Sequence, residues 1–187
     1  VAIGSDHTGV ASKAALVAHL LKAGKAVADL GTSGSEPVDY PDLALAVARA
    51  VRRGEAAAGI LVDGAGIGSS MAANKVPGVR AALVWNTSTA QLARQHNDAN
   101  VVSVGARQHS DAEATELVLE FLRTPFSGDE RHARRIGLVS DYERDRRDEL
   151  DVDGDVVAWH DHLHALGQVD GAGDVGGAEV ELRAVVG

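Results

Sequence analysis

The sequence predicts an α/β fold, a parallel sheet with helices on both faces. Short apolar runs bounded by Gly, Asp or Asn alternate with longer segments of helical period, the mark of successive βα units. Hydrophobic residues make up 45% of the 187 residues while aromatics are only 3%. A core drawn from small branched side chains must be packed closely, which favours helices lying on a parallel sheet.

Strands are expected at residues 1–4, 26–30, 58–62, 80–84 and 101–104, and helices at 10–23, 41–53, 69–75, 88–96 and 111–123. Several of the helices are entered by Ser, Thr or Asp at a suitable N-cap. The order is βαβαβαβαβα, and such crossovers make a three-layer α/β/α sandwich that gathers ligands at the carboxyl ends of its strands. A last helix from about 129 to 147 carries Arg131, Arg134, Arg135, Arg144, Arg146 and Arg147. That places one domain at 1–147. Residues 148–187, rich in Asp and Gly and with little periodicity, read as a weakly ordered acidic tail.

The chain is long enough for one well-cored domain with an extension but short for two. Its net charge of -9 argues against a nucleic-acid partner, which calls for a basic face. A small anion could still bind through a local Arg cluster. Cysteine is absent, so disulfides and thiol chemistry are excluded. No apolar run reaches the roughly 18 residues needed to span a bilayer, and no signal-peptide pattern opens the chain. No membrane partner and a cytoplasmic location are expected. In the tail, His160, His162 and His164 alternate as metal ligands in a strand would, but the acidic surroundings favour a solvated segment. Asp151, Asp153 and Asp155 resemble a calcium loop whose glycine comes too early and whose twelfth position is His162 rather than Glu. Neither a metal nor a cofactor is expected.

Three polar clusters fall at strand or helix ends. The most informative is Asp63 with Gly64, Ala65, Gly66, Gly68 and Ser69, where an apolar strand runs into a glycine-rich turn and then a helix. Glycines let the backbone approach an anion, and the helix aims free N–H groups at the same place. The spacing misses the dinucleotide fingerprint because Ser69 stands at its third glycine, and no P-loop Lys follows. An anion-cradling turn is the better reading. The second cluster, Asp6 and His7 after the first strand, either caps the next helix or forms the start of a sugar site, since a carboxylate accepts from hydroxyls and an imidazole donates to phosphate. The third, His96 and Asn97 with Arg107 beyond, reads as a helix C-cap or as site residues. Arg131 and Arg135, four apart, share a helical face that either grips one phosphate or is simply solvated.

These residues carry a resemblance. Gly4 to Gly9, Asp39 to Asp42, Gly64 to Gly68, Ala72 to Lys75, Gly78 to Ala82, Ala93 to Asn100 and Arg131 to Arg135 resemble, in order, motifs of the ribose-5-phosphate isomerase B / galactose-6-phosphate isomerase family, from residue 1 to about 143. The resemblance implies a Rossmann-like five-stranded parallel sheet of order 2-1-3-5-4. It also implies a homodimer or tetramer with shared active sites, and a metal-free aldose–ketose isomerisation of a sugar phosphate through ring opening and an enediolate. Asp6 and Tyr40 would then contact sugar hydroxyls, while His7, Arg131 and Arg135 would hold the phosphate, with Arg107 reaching over from a partner. His96 would assist ring opening, and Asn97 and the amides of the glycine turn would stabilise the enediolate oxygen.

Two positions depart from the family pattern. Many members have Cys as the proton-transferring base where Asp63 stands, with Thr or Ser at the position of Ala65; others use a Glu at the position of Ser69. Asp63 is the only titratable group left in the turn. A carboxylate performs the equivalent proton abstraction in triosephosphate isomerase, so Asp63 is expected to act as the base. The rival expectation is a sugar-phosphate binding or regulatory protein that has lost isomerase activity.

Overall fold

A computed structural model of the chain describes residues 1–153. Packing divides the chain into Val1–Asp148 and Glu149–Gly187, and His160, His162, His164, Asp155 and most of the expected tail lie outside the described residues. In chain order the elements are β1 (Ala2–Ser5), a single 3-10 turn (His7–Gly9), α1 (Val10–Lys22), β2 (Ala28–Asp29), α2 (Tyr40–Arg52), β3 (Gly59–Asp63) and α3 (Ile67–Ala73). They continue with β4 (Ala81–Leu83), α4 (Thr87–Asn97), β5 (Val101–Gly105), α5 (Asp111–Arg123) and α6 (Glu130–Asp153).

All five strands are parallel, in the order β2-β1-β3-β5-β4, as the resemblance implies. Strand alternation sorts the core into two layers. Ile3, Ile60, Val62, Val102 and Val104 face α1, α4 and α5, where they meet Leu16, Leu20, Leu117, Val118 and Phe121. Ala2, Leu61 and Val101 face the other way, onto Ala44, Val47 and Ala48 of α2 and Ala73 of α3. The second layer is built largely of alanine and valine, so α2 lies close on the sheet. Each fully buried Val, Ile, Leu or Phe contributes about 1.5–3 kcal/mol, which concentrates stability in the central strands and the helix faces packed on them.

The edge strands are shorter than expected. β2 covers Ala28–Asp29 instead of 26–30, because a strand with one neighbour and exposed side chains gains little by extending. A Lys13–Asp29 ion pair at 2.6 Å, with Lys13 buried, pins it to α1. α6 runs past the expected end at 147 through Asp153; between Leu138 and Asp153 there is no Gly or Pro, and the first breaker is Gly154. Residues 148–153, assigned above to the tail, are therefore helical.

The chain leaves β1 toward β2 on one side, then returns to place β3 on the other. The order therefore reverses between β1 and β3, and the crevice outside their carboxyl ends is where an open α/β sheet takes its ligand. Asp6 follows β1 and Asp63 ends β3, so the two carboxylates flank that point.

Candidate active site

Asp63 is 5% exposed, and its carboxylate holds the glycine turn from inside. Oδ1 accepts from the amides of Ala65, at 2.9 Å, and Gly66; Oδ2 accepts from the amide of Ser69 at 3.0 Å. Three of a carboxylate's roughly four lone-pair positions are thus in use, with one left on Oδ2. Gly66 sits at φ 77°, a conformation that costs glycine nothing, and a Cβ there would stand 2.6 Å from Leu83 Cδ1. Ser103 Oγ donates to the Gly66 carbonyl at 2.7 Å. The loop after β5 is sewn to the same turn, its Ala106 amide donating to the Asp63 carbonyl at 2.7 Å and its Arg107 amide to the Gly64 carbonyl at 3.0 Å.

The other groups at these strand ends gather around the turn. Asp6, buried, N-caps the 3-10 turn, accepting from the Thr8 amide at 2.9 Å and the Thr8 hydroxyl at 2.6 Å. His7 Nδ1 accepts from the Val38 amide at 3.3 Å, which orients the ring and ties it to the loop before α2. A Cβ on Gly64 would lie 3.5 Å from both Arg107 Cδ and Thr8 Oγ1, and one on Gly68 would meet the ring of Tyr40. Asp6, Tyr40, the turn and Arg107 therefore form one cluster on a single chain. Arg107, expected to arrive from a partner, stands beside the turn of its own protomer.

His96 and Asn97 lie elsewhere. They close α4, which leads into the amino end of β5, whereas Asp63 and Arg107 lie at the carboxyl end of the sheet. The five residues of β5 separate the two ends by roughly 16 Å. At the amino end a cleft of about 580 Å³ is lined by Asn74, Arg80, His96, Asn97, His132 and Arg135, among others. Arg131 is not among its lining residues; its Nε pairs with Asp129 at 3.2 Å. Here the helical face expected to carry Arg131 and Arg135 sends only Arg135 into the cleft.

The end of α4 that carries His96 and Asn97 is held hard. Asp98 adopts a left-handed conformation, φ 43°, and two arginines grip it. Arg94 Nη1 donates to Asp98 Oδ1 at 2.8 Å and Arg80 Nη2 to Oδ2 at 3.1 Å, while Arg80 Nε donates to the Asn97 carbonyl at 2.9 Å. His96 packs against His132, ring centroids 4.2 Å apart. Burial first, then the positive potential of His96 and Arg131, pushes the His132 pKa below the ordinary histidine value; Asp129 opposes and Arg135 reinforces the shift. Sequence reasoning did not single out His132, Arg80 or Asp98. His132 was within reach of it, since 132, 136, 139 and 143 share one helical face and all four line the cleft.

Among the described residues no three His, Asp or Glu side chains converge on a possible metal position, and no helix is long and apolar enough to cross a membrane. Fold and clusters together define an α/β protein with a carboxylate-braced glycine turn at the topological switch point and a second, imidazole-bearing cleft at the opposite end of the sheet.

Residues 1–139 match the Ribose/Galactose Isomerase family. The ribose-5-phosphate isomerase B of Mycolicibacterium paratuberculosis is 43% identical over 145 residues, 77% of this chain and 91% of that protein. The solved structure of Clostridium thermocellum ribose-5-phosphate isomerase B superposes with a TM-score of 0.76 at 45% identity, covering 78% of this chain and 97% of that one. That of Mycoplasma genitalium ribose-5-phosphate isomerase B, with bound ribulose-5-phosphate, gives 0.74 at 44% identity over 76% and 95%. This chain belongs to the ribose/galactose isomerase family.

Proposed function

We propose that the protein is an aldose–ketose isomerase of a sugar phosphate, interconverting ribose 5-phosphate and ribulose 5-phosphate or a related pentose, hexose or tetrose phosphate. The observation that carries this reading is the Asp63 turn, a rigid amide-lined cradle at the switch point with a carboxylate buried in it. In the reaction the sugar ring opens to the aldehyde, and Asp63 Oδ2 takes the proton from C2 with its remaining lone pair. The electrons move into a C1–C2 double bond, the C1 oxygen becomes an enediolate, and protonation at C1 gives the ketose once the C2 hydroxyl proton has moved away. Ala65, Gly66 and Ser69 donate their amides to Asp63, so the cradle for the enediolate oxygen falls to the amides of Ile67 and Gly68 with Asn97. Asp6 and Tyr40 bind hydroxyls, and His7, Arg107, Arg131 and Arg135 bind phosphate.

The gap of roughly 16 Å between the two clusters supports a homodimer, or a tetramer built from dimers. In it His96, Asn97, Arg131 and Arg135 of one protomer complete the cluster formed by Asp6, His7, Tyr40, the turn and Arg107 of another. A cytoplasmic location and a place in pentose phosphate metabolism accompany this reading. Incubating the protein with ribose 5-phosphate, allose 6-phosphate, galactose 6-phosphate and tetrose phosphates in heavy water tests it: deuterium should enter at C1 or C2 of at least one sugar.

One observation favours a second reading, a sugar-phosphate binding or regulatory protein without turnover. Asp63 already braces three amides, a structural task that leaves one lone pair on Oδ2. Micromolar binding of a sugar phosphate with no deuterium uptake from any of them would select this alternative.

A further inference from the structure

We propose that His132 is a positioning residue for His96, fixing that imidazole at the cleft in the attitude that ring opening requires; the inference rests on the isomerase reading above. His132 is 5% exposed, although the residues on either side of it are exposed. Its ring lies against that of His96 with the planes 38° apart. Behind it, Ser127 Oγ stands 3.0 Å from Nδ1. That hydroxyl accepts from the Asp129 amide at 3.2 Å, so its own proton is available to Nδ1 of a neutral imidazole. Ser127 is tied in turn to α4, its amide donating to the Gln95 carbonyl at 3.1 Å. The path from Gln95 through Ser127 and His132 thus returns to His96, one residue from where it began.

The rest of α6 has its own attachment. About three turns after His132, Glu143 Oε2 accepts from the Gly78 amide at 2.9 Å, which seats the helix along the cleft. The His132 ring is therefore free to serve His96. The charged and titratable groups around it are His96 from α4, Asp129 from the preceding loop, and Arg131 and Arg135 on α6. Burial, then His96 and Arg131, hold its pKa below the ordinary histidine value, with Asp129 opposing and Arg135 adding to the shift, so the uncharged ring is favoured against His96.

Opening a furanose takes the proton from the C1 hydroxyl and delivers one to the ring oxygen as the C1–O bond breaks. A single imidazole can do both only if held within hydrogen-bond reach of the two oxygens. His96 is half-exposed at a helix end, and the buried ring of His132 is what limits its motion.

Ribulose 5-phosphate separates ring opening from the chemistry that follows, because its C5 oxygen is esterified and the sugar stays open. Solvent deuterium exchange at its C1 needs proton transfer alone; conversion of ribose 5-phosphate needs ring opening as well. His132→Ala should lower kcat for ribose 5-phosphate about tenfold, leaving KM and the exchange into ribulose 5-phosphate within about twofold of wild type. His132→Phe, which keeps a ring without its nitrogens, should recover most of the loss. The NMR signals of the His96 ring protons should move in the Ala variant and stay near their ring-shifted positions in the Phe variant. Equal losses in both assays, or a change chiefly in KM, would overturn the proposal in favour of a general role in seating α6. A Phe variant as impaired as Ala would also overturn it, by assigning His132 a proton of its own to exchange. If wild type exchanges deuterium into neither sugar, the isomerase reading fails; an unmoved His96 spectrum in the Ala variant would then sink the positioning role independently.

Discussion

The ring of Tyr40 lies flat across Gly68, so close that a Cβ on residue 68 would stand 2.6 Å from Tyr40 Cζ. Helix α2 begins at Tyr40, with Pro41 setting its first turn, and α3 begins at Ile67. The glycine lets the start of one helix reach the start of the other. Gly68→Ala should raise helix propensity by up to about 1 kcal/mol, but displacing the Tyr40 ring costs about 1–3 kcal/mol, so the clash wins. A net destabilisation of about 1 kcal/mol is expected, with a several-fold rise in KM for the sugar phosphate. In a Tyr40→Ala background the same substitution should turn neutral or stabilising in thermal melts. If Gly68→Ala destabilised both backgrounds equally, the tyrosine contact would not be the reason for the glycine.

Asp63→Asn separates the two tasks assigned to that carboxylate. An asparagine carbonyl can still accept from Ala65 and Gly66, but its NH2 then faces the Ser69 amide, donor against donor. The lost bond and the buried unpaired N–H groups cost about 2 kcal/mol, or a fall of about 4–8 °C in Tm for a chain of this size. If Asp63 is the base, deuterium exchange should also fall by about 100-fold or more, far beyond what a loosened turn explains. A variant that melts early yet keeps exchange within a few-fold would leave Asp63 as a brace only.

Asp98 is the one described non-glycine residue with a positive φ, and its carboxylate joins Arg80 to Arg94. The left-handed conformation costs a residue with a side chain about 1–2 kcal/mol, while these partly exposed ion pairs contribute about 0.2–1 kcal/mol each. The two effects are of similar size and opposite sign. Asp98→Gly should therefore leave stability within about 0.5 kcal/mol, whereas Asp98→Ala keeps the strain, loses both pairs, and should destabilise by about 0.4–2 kcal/mol. Denaturant titration of the two variants checks the ordering, and a glycine variant as unstable as the alanine one would contradict the strain argument.

The central strands were legible because they are unbroken apolar runs. β3 and β5 fall within one residue of expectation, and their burial on both faces leaves no second interpretation. The edges were not, since β2 is two exposed residues whose only register partners are Ala2 and Ile3 of β1, a tertiary fact. Motifs named most of the site, but spacing along a chain says nothing of distance across a sheet. His96 and Asn97 follow one motif and Arg107 another ten residues later, yet β5 between them sends the two to opposite edges. The bracing role of Asp63 was within reach, because an Asp side chain bonding the amide two residues on is a common turn device. Its extension to Ser69 depends on α3 starting two residues earlier than the pattern suggested.

His132 makes the fold sensitive to acid. Burial and the neighbouring His96 and Arg131 lower its pKa in the folded protein, whereas in the unfolded chain it titrates near about 6.5. Below that value the unfolded state binds the proton more readily than the folded one, so stability falls as the pH drops and is regained as it rises toward neutrality. Above about pH 8 both states are neutral at this residue and its contribution is flat. Asp129 tempers the effect, while Arg135 adds to it. Thermal melts of wild type and His132→Phe between about pH 5 and pH 8 isolate the contribution of this one ring, because the other seven histidines are present in both proteins. The difference in Tm should favour the Phe variant increasingly as the solution is acidified below about 6.5. Curves that stay parallel across the range would mean that the folded protein protonates His132 as easily as the unfolded chain does.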